Sequence, residues 1–431
     1  PPPGEPIEPR PLGRDLPTNQ ATTDTMPTWA PPTGELTLRA ALAAALMQNP
    51  ELAAFSWERR ARDAEVLQAG RWPNPEIAAE LENFAGSGEL AGIIQSETTI
   101  GLFQLFELGG KRGKRETVAS LERDLSTWDY EARRLDVMTE VAQSFVAVLA
   151  AQQGVALAGD LVDVADEVHQ SVARRVRLGA VSPVEANRAL VELQTSRIDS
   201  IHVAQVLAAS RRRLAITWGK ADPTFTIAVG DLEETRSRPS LDSLQVYVRQ
   251  NPDVARWATE VQHRDAAMAL ARANGKIDLN LGAGVRHFEG TGENALMLAV
   301  QRPLPVFDRN QGGSQAARHR LMKARFESAG AEIRSRATLG LLYDQLVATE
   351  AEVNALRDGV IPEAETAFDT AQANYQRGRM RFTDVLDTER TLFELRSRYY
   401  HTLASYHVTV ASIERLIGES LQELATDEGR P

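Results

Sequence analysis

Asp384 and Asp387 stand three residues apart, shortly after a break at Gly378. On a helix that spacing puts both carboxylates on one face, within the first turns. The helix dipole favours carboxylates there, and the pair also attracts cations and repels anions. A second cluster is basic. Lys111, Arg112, Lys114 and Arg115 crowd a predicted helix start, where positive charge opposes the dipole. An anionic partner is expected for them, either lipid headgroups at a membrane edge or neighbouring carboxylates; the alternative is a solvated run of charge. Ser182-Pro183-Val184-Glu185 has the spacing of a capping box, which would give Glu185 a structural task. Nothing in the chain resembles reaction machinery. The seven His are scattered, His401 and His407 fall on different helical faces, and no H-E-x-x-H pair, phosphate loop or G-x-S-x-G elbow occurs. The absence of Cys excludes disulfides, thiolate metal sites, iron–sulfur clusters and a Cys nucleophile. No enzyme activity, cofactor or tight metal site is expected.

Charge and hydropathy narrow the class further. With 48 Lys+Arg against 59 Asp+Glu the net charge is −11, which argues against nucleic acid as a partner. The longest unbroken apolar run, Ala40 to Met47, is too short to cross a membrane as a helix. The chain opens on Pro1 rather than Met, as expected of a processed or trimmed form. Residues 1–35 hold ten of the 21 Pro and read as an extended N-terminal arm, either a loose tail or a segment wrapped on a partner surface.

The remainder reads as two similar halves, 36–219 and 240–418, joined by a linker over 220–239 and followed by a tail over 419–431. Gln48-Asn49-Pro50-Glu51-Leu52 recurs as Gln250-Asn251-Pro252-Asp253-Val254. Gly179, Glu185 and Gly219 recur as Gly378, Asp384 and Gly418, each displaced by 199 residues. Each half opens with a helix and continues into a predicted β-hairpin, over about 75–108 and 276–306. In Lys276 to Val285 the apolar residues fall at every second position, Ile277, Leu279, Leu281, Ala283 and Val285. Strands of roughly ten residues, apolar on one face and polar on the other, fit a transmembrane barrel. Two hairpins alone cannot close one, because the smallest barrels need about eight strands.

Long helices follow each hairpin, predicted over about 112–178 and 313–377. The first has no Pro and carries Val118, Leu121, Leu125, Trp128, Ala132 and Leu135 in a 3-4 rhythm. Its roughly 67 residues would span about 100 Å, which suits a coiled coil, a stalk or a barrel wall. In the second, Pro362 predicts a kink. Gly179 and Gly378 end these helices, and return helices are predicted over 183–218 and 382–417. Ser182 is placed as N-cap and Pro183 as the first helical residue.

Two halves, each running helix, hairpin, long helix, turn and helix, resemble the TolC-type outer-membrane efflux proteins. The resemblance covers about residues 36–418. It rests on the Asn-Pro helix of each half and on Gly378 to Leu392, GRMRFTDVLDTERTL, which is similar to the family's G-x5-DVLD-x4-L segment. Phe103 to Arg112, FQLFELGGKR, resembles the Czc-like heavy-metal branch and lacks the aspartate and Gly-Arg pair more usual in multidrug members.

The resemblance implies a mainly α protein with a membrane β-barrel portion. In it, a homotrimer closes a 12-stranded barrel in outer-membrane lipid and extends a long α-helical barrel into the periplasm. It implies a passive exit duct for heavy-metal cations, partnered by a periplasmic adaptor (membrane-fusion) protein and a proton-driven resistance–nodulation–division pump. A duct of the same build for drugs or other organic compounds is the alternative. A soluble periplasmic coiled-coil adaptor is a third reading, disfavoured by the alternating hairpins. The resemblance assigns Asp384 and Asp387 to the periplasmic gate, where threefold symmetry would make rings of carboxylates. Tyr375 matches a tyrosine that holds the tip closed, with Glu185 as a weaker gate candidate. The partner arginine is replaced by Met380, between Arg379 and Arg381, so the closing bonds are expected to be rewired. The turns containing Gly179, Ser182 and Pro183, and Gly378 and Phe382, would be docking tips. Some members carry a lipidated Cys ahead of the arm.

Overall fold

The computed structural model describes residue 8 and residues 10–17, 32–235 and 238–428. The chain divides into two compact units. The first comprises 57–128 and 255–331, with residues 1–7 outside the description; the second comprises 8–56, 129–254 and 332–431.

The first unit is built on a four-stranded antiparallel sheet. Its strands are β2 (Glu76–Glu82), β3 (Glu97–Phe106), β5 (Leu279–Phe288) and β6 (Glu293–Gln301), in spatial order β2-β3-β5-β6. Each half of the chain supplies one hairpin, and β3 joins them by pairing with β5 from Glu97 opposite Phe288 to Phe106 opposite Leu279. The second hairpin starts at Leu279 rather than Lys276. Asp278 is diverted from the strand: its Oδ1 accepts the Leu108 N–H at 2.9 Å and its Oδ2 holds Lys111 Nζ at 2.6 Å. The same unit holds most of α2 (Pro50–Ala69) and of α6 (Pro252–Asn274), and the starts of α3 (Lys111–Arg177) and α7 (Gln311–Ala355). α3 and α6 meet where Trp128 Nε1 donates to Thr259 Oγ1 at 3.0 Å.

The second unit is helical, with one small sheet. β1 (Gly34–Thr37) pairs in parallel with β4 (Phe225–Val229), so the segment expected as a plain linker over 220–239 contains a strand. α1 (Leu38–Gln48) buries Ala41, Ala44, Ala45 and Leu46 in a core with Val141, Phe145, Val148 and Leu149 of α3 and Trp218. The repeat appears here as well. α5 (Leu241–Val248) buries Leu244 and Val248 against Ile413 and Ile417 of α9 (Phe382–Ile417). The Asn-Pro motifs explain the junctions. Asn49 Oδ1 caps α2 by accepting the N–H groups of Glu51 and Leu52, and its Nδ2 donates to the Thr217 carbonyl at 2.9 Å. Asn251 caps α6 through the Asp253 N–H and donates to the carbonyls of Arg415 and Leu416 at 2.8 and 3.0 Å. Each amide thus satisfies the start of one helix and the end of another.

The second long helix is not continuous. α7 ends at Ala355, residues 356–360 form one π-helical turn, and α8 (Ile361–Gln376) begins just before Pro362. Pro362 has no N–H to donate to the preceding turn, and a widened turn absorbs that loss. Residues 419–431 are not a plain tail, since α10 (Leu421–Glu428) lies there and residues 429–431 are outside the description. Much of the expected arm, 1–7, 9 and 18–31, also lies outside it. The described part is tied down. Buried Arg134 donates to the carbonyls of Leu12 and Arg10 at 2.8 and 3.1 Å while pairing with Glu131. Leu16 is buried in the same core as Met138.

By length and composition α3 contains one stretch apolar enough to cross a membrane. Counting unbroken apolar runs misses it, because 141–159 interleaves Gln and Ser among Ala, Val and Leu while carrying no charge. Val141, Phe145, Val148 and Leu149 lie in the core of the second unit.

Candidate functional sites: the strand sheet and the helical tip

The sheet has two unlike faces. The register aligns Ile77, Ala79 and Leu81 with Leu102, Ile100 and Thr98, then with Ala283, Val285 and His287, and finally with Leu298, Leu296 and Asn294. Because side chains alternate, these residues share one face. That face is open: Leu296 is 88% and Leu298 85% exposed. The opposite face carries Glu80, Glu82, Glu97, Thr99 and Arg286. Arg286 is its hub, donating to Glu97 Oε2 at 2.9 Å and Thr99 Oγ1 at 2.9 Å and lying 3.1 Å from Glu82 Oε2. A one-residue slip would exchange the two faces, so the alternation fixes the register. Phe103 lies across Gly282, where any Cβ would collide with its ring.

At one end of β3 the basic cluster is satisfied locally. Lys111 is buried against Asp278, Arg115 is bidentate on Glu107, and Lys114 Nζ donates to the Gly109 carbonyl at 2.8 Å. Arg112 lies 4.5 Å above the Trp72 ring, which itself meets Phe106 edge-on at 6.3 Å. Two of the four, Lys111 and Arg115, meet neighbouring carboxylates.

The tip lies in the second unit, where α3 ends and α4 (Pro183–Ile216) begins, and where α8 ends and α9 begins. Both turns close alike. Gly179 and Gly378 have φ of 71° and 72°, a left-handed conformation that costs glycine little. The Ala180 N–H returns to the Arg175 carbonyl and the Gly179 N–H to Val176; Arg379 and Gly378 repeat this with Asn374 and Tyr375. These paired bonds are Schellman caps. Ser182 Oγ caps α4 by accepting the Val184 N–H at 3.3 Å, with Pro183 as its first residue. Glu185 does not complete the capping box: its Oε2 is buried and has no hydrogen-bond partner.

The four helices enclose a small core of Val168, Val172, Ala189, Phe368, Ala371, Tyr375, Phe382, Val385 and Leu392. Phe382 is 2% exposed, its ring 5.8 Å from that of Tyr375. It shapes the turn from inside, a correction to its reading as a docking surface. The surface apolar residues at the tip are Leu178, 83% exposed, and Val184. Tyr375 meets an arginine of α3 rather than Arg379 or Arg381. Arg175 sits 4.4 Å over the Tyr375 ring and donates to its carbonyl at 2.8 Å. Burial pushes the Tyr375 hydroxyl above its usual pKa, and the Glu185 charge adds to this while Arg175 opposes it.

Asp384 and Asp387 differ. Asp384 is partly neutralised by Arg381, 3.3 Å away, and accepts from Thr383 Oγ1; Asp387 is exposed. A third acidic residue, not singled out in the sequence, lies two positions further on. Glu389 is 1% exposed, and neither carboxylate oxygen has a hydrogen-bond partner. Burial pushes its pKa up to about 7, the Glu192 charge raises it further, and Arg390 opposes. Its signal was available: Val385, Glu389 and Leu392 follow one helical stripe, so a carboxyl occupies a core position. Among the described residues no three His, Asp or Glu come together in an arrangement that could hold a metal ion.

Residues 41–220 and 244–419 match the outer membrane efflux protein family. The chain belongs to that family. It is 33% identical over 386 residues to the cobalt-zinc-cadmium resistance protein CzcC of Cupriavidus metallidurans, covering 89% of this chain and 90% of that one. It is 26% identical over 277 residues to the nickel and cobalt resistance protein CnrC of the same organism, covering 64% and 65%. Among solved structures, CusC superposes with a TM-score of 0.74 over 96% of this chain and 99% of its own, at 17% identity. The outer membrane protein VceC of Vibrio cholerae gives 0.72 over 89% and 96%, at 16% identity. These structural likenesses show the fold, that of TolC-like channels. The resemblance read from the Asn-Pro helices and the DVLD segment is borne out. The efflux protein resides in the outer membrane and extends into the periplasm, and its family is one of channels rather than enzymes.

Proposed function

We infer that this chain is the passive outer-membrane exit duct of a tripartite, proton-driven pump that exports heavy-metal cations. The observation that carries this reading is the 33% identity, across nine tenths of both chains, to a protein named for cobalt, zinc and cadmium resistance. The FQLFELGGKR stretch points the same way. Organic cargo is the second reading, favoured by 23% identity to the pyoverdine export outer membrane protein OpmQ of Pseudomonas aeruginosa over 85% of this chain.

The sheet supports a homotrimer. β2 and β6 are its free edges, and its apolar face is uncovered. Unpaired edges and an exposed apolar face need partners. Three copies would join four strands each into a twelve-stranded barrel, with the apolar face toward lipid and the Arg286 face toward the lumen. In the helical unit, Asp384 and Asp387 would ring the periplasmic gate and favour cations. The turns around Gly179 and Gly378, with exposed Leu178 and Val184, would dock a periplasmic adaptor leading to a resistance–nodulation–division pump. A metal-tolerance panel on a strain lacking the gene, with and without complementation, tests the cargo. Sensitivity to zinc, cadmium, cobalt or nickel alone is expected; sensitivity to dyes and antibiotics alone would assign the duct to organic compounds.

A further inference from the structure

One group in the tip is not used by a passive duct. A buried carboxylate ordinarily finds N–H or O–H donors or a cation, and Glu389 has none of these contacts. Its neighbour Arg390 turns instead to Glu192 of α4, with Nε 3.2 Å from Oε1. The charges acting on Glu389 are therefore Glu192 across the α4–α9 seam and Arg390 on its own helix. α3 and α8 face this core with Val168, Val172, Phe368, Ala371 and the Tyr375 ring. Tyr375 is neutral near pH 7, because its pKa lies above the ordinary tyrosine value.

Val385 and Leu392 flank Glu389 on the same stripe, so an apolar side chain would pack there without penalty. The carboxyl costs stability in either form. As the acid it leaves a hydrogen bond unmade; as the anion it also loses its hydration and faces Glu192. Relief for the anion is water, which reaches it only if the helices around it separate.

We propose that Glu389 is a proton-operated latch on the tip. Protonated, it lets α4 and α9 close over it; deprotonated, it drives them apart. Acid conditions therefore hold the two turns together and alkaline conditions release them. This inference rests on reading the chain as a duct whose tip is its gate.

The chain has no Cys, so spin labels on A180C and R379C, exposed positions in the two turns, report the separation of the turns. The full chain is labelled in detergent, and conductance of the unlabelled chain is recorded in planar bilayers at the same pH values. With titration near pH 7, the anionic share climbs from about a tenth at pH 6 to about nine tenths at pH 8. Wild-type label separation and open time are expected to rise along that curve. E389Q and E389M, both neutral and similar in size, are expected to stay at the low-pH values throughout, and the pair guards against one variant failing to fold. A wild-type profile that survives in both variants would overturn the latch, as would a wild type that does not change between pH 6 and 8. Label separation that titrates in a protein with no conductance at any pH would retain the latch and overturn the duct.

Discussion

The sheet pairs the charges it gathers, whereas the tip leaves two of its carboxyls short of partners. On the sheet, Arg286 answers Glu97, Glu82 and Thr99, and at its end Lys111 and Arg115 answer Asp278 and Glu107. In the tip, Glu185 Oε2 and both oxygens of Glu389 are buried without partners. Satisfied polar networks hold a single arrangement, whereas an unpartnered buried carboxyl favours any state that wets it. On the proposed duct reading, that division suits a channel held by its sheet and opened at its helical turns.

The largest expected effect comes from breaking the sheet's apolar face. Leu298→Arg places a charge among Leu296, Ala283 and Val300. A lipid-facing Arg near the midplane costs about 2–4 kcal/mol per copy, so the variant should fail to insert in the outer membrane, measured by fractionation and heat-modifiable mobility. Normal insertion would mean that this face does not meet lipid.

Next is Glu389, through stability rather than gating. Its folded pKa of about 7 lies above the ordinary 4.5, so the folded state holds the proton more tightly than the unfolded chain does. Stability from this group is full below about pH 4.5, is lost as pH rises to about 7, and is constant above that. The span of about 2.5 units corresponds to about 3 kcal/mol at most. Glu389→Gln should therefore raise the melting temperature at pH 8 and far less at pH 5. An equal shift at both would show that the carboxyl does not titrate in this range.

Asp384→Ala combined with Asp387→Ala should raise single-channel conductance or reduce cation selectivity, with stability barely altered. Asp387→Ala should carry more of the change, because Arg381 already neutralises part of Asp384. The smallest effect is expected of Gly378→Ala, which forces a left-handed residue at the turn and costs about 1 kcal/mol. It should lower tip stability in hydrogen exchange and leave the sheet's protection unchanged.

Much of this was legible along the chain. Period-2 alternation marked both hairpins, and Gly, Ser and Pro marked the turns, because those signals act within a few residues. What depends on distant partners was not legible. β1 and β4 are four and five residues long, too short for a pattern, and their paired residues lie 191–192 positions apart. Asp278 leaves its strand only because Lys111 and the Leu108 N–H meet it there. Arg175 reaches the Tyr375 carbonyl from 200 residues away. Glu389 sat in plain view on an apolar stripe, but a single glutamate in a charged helix reads as solvated until four helices are seen to surround it.

The central claim is a conducting path that favours cations. Purified protein in a planar bilayer under a potassium chloride gradient tests it most directly. The account predicts stable single-channel steps and a reversal potential displaced toward that of the cation, with the displacement reduced when Asp384 and Asp387 are both replaced by Ala. A protein that inserts without conducting at any pH, or that conducts with anion preference, would contradict it.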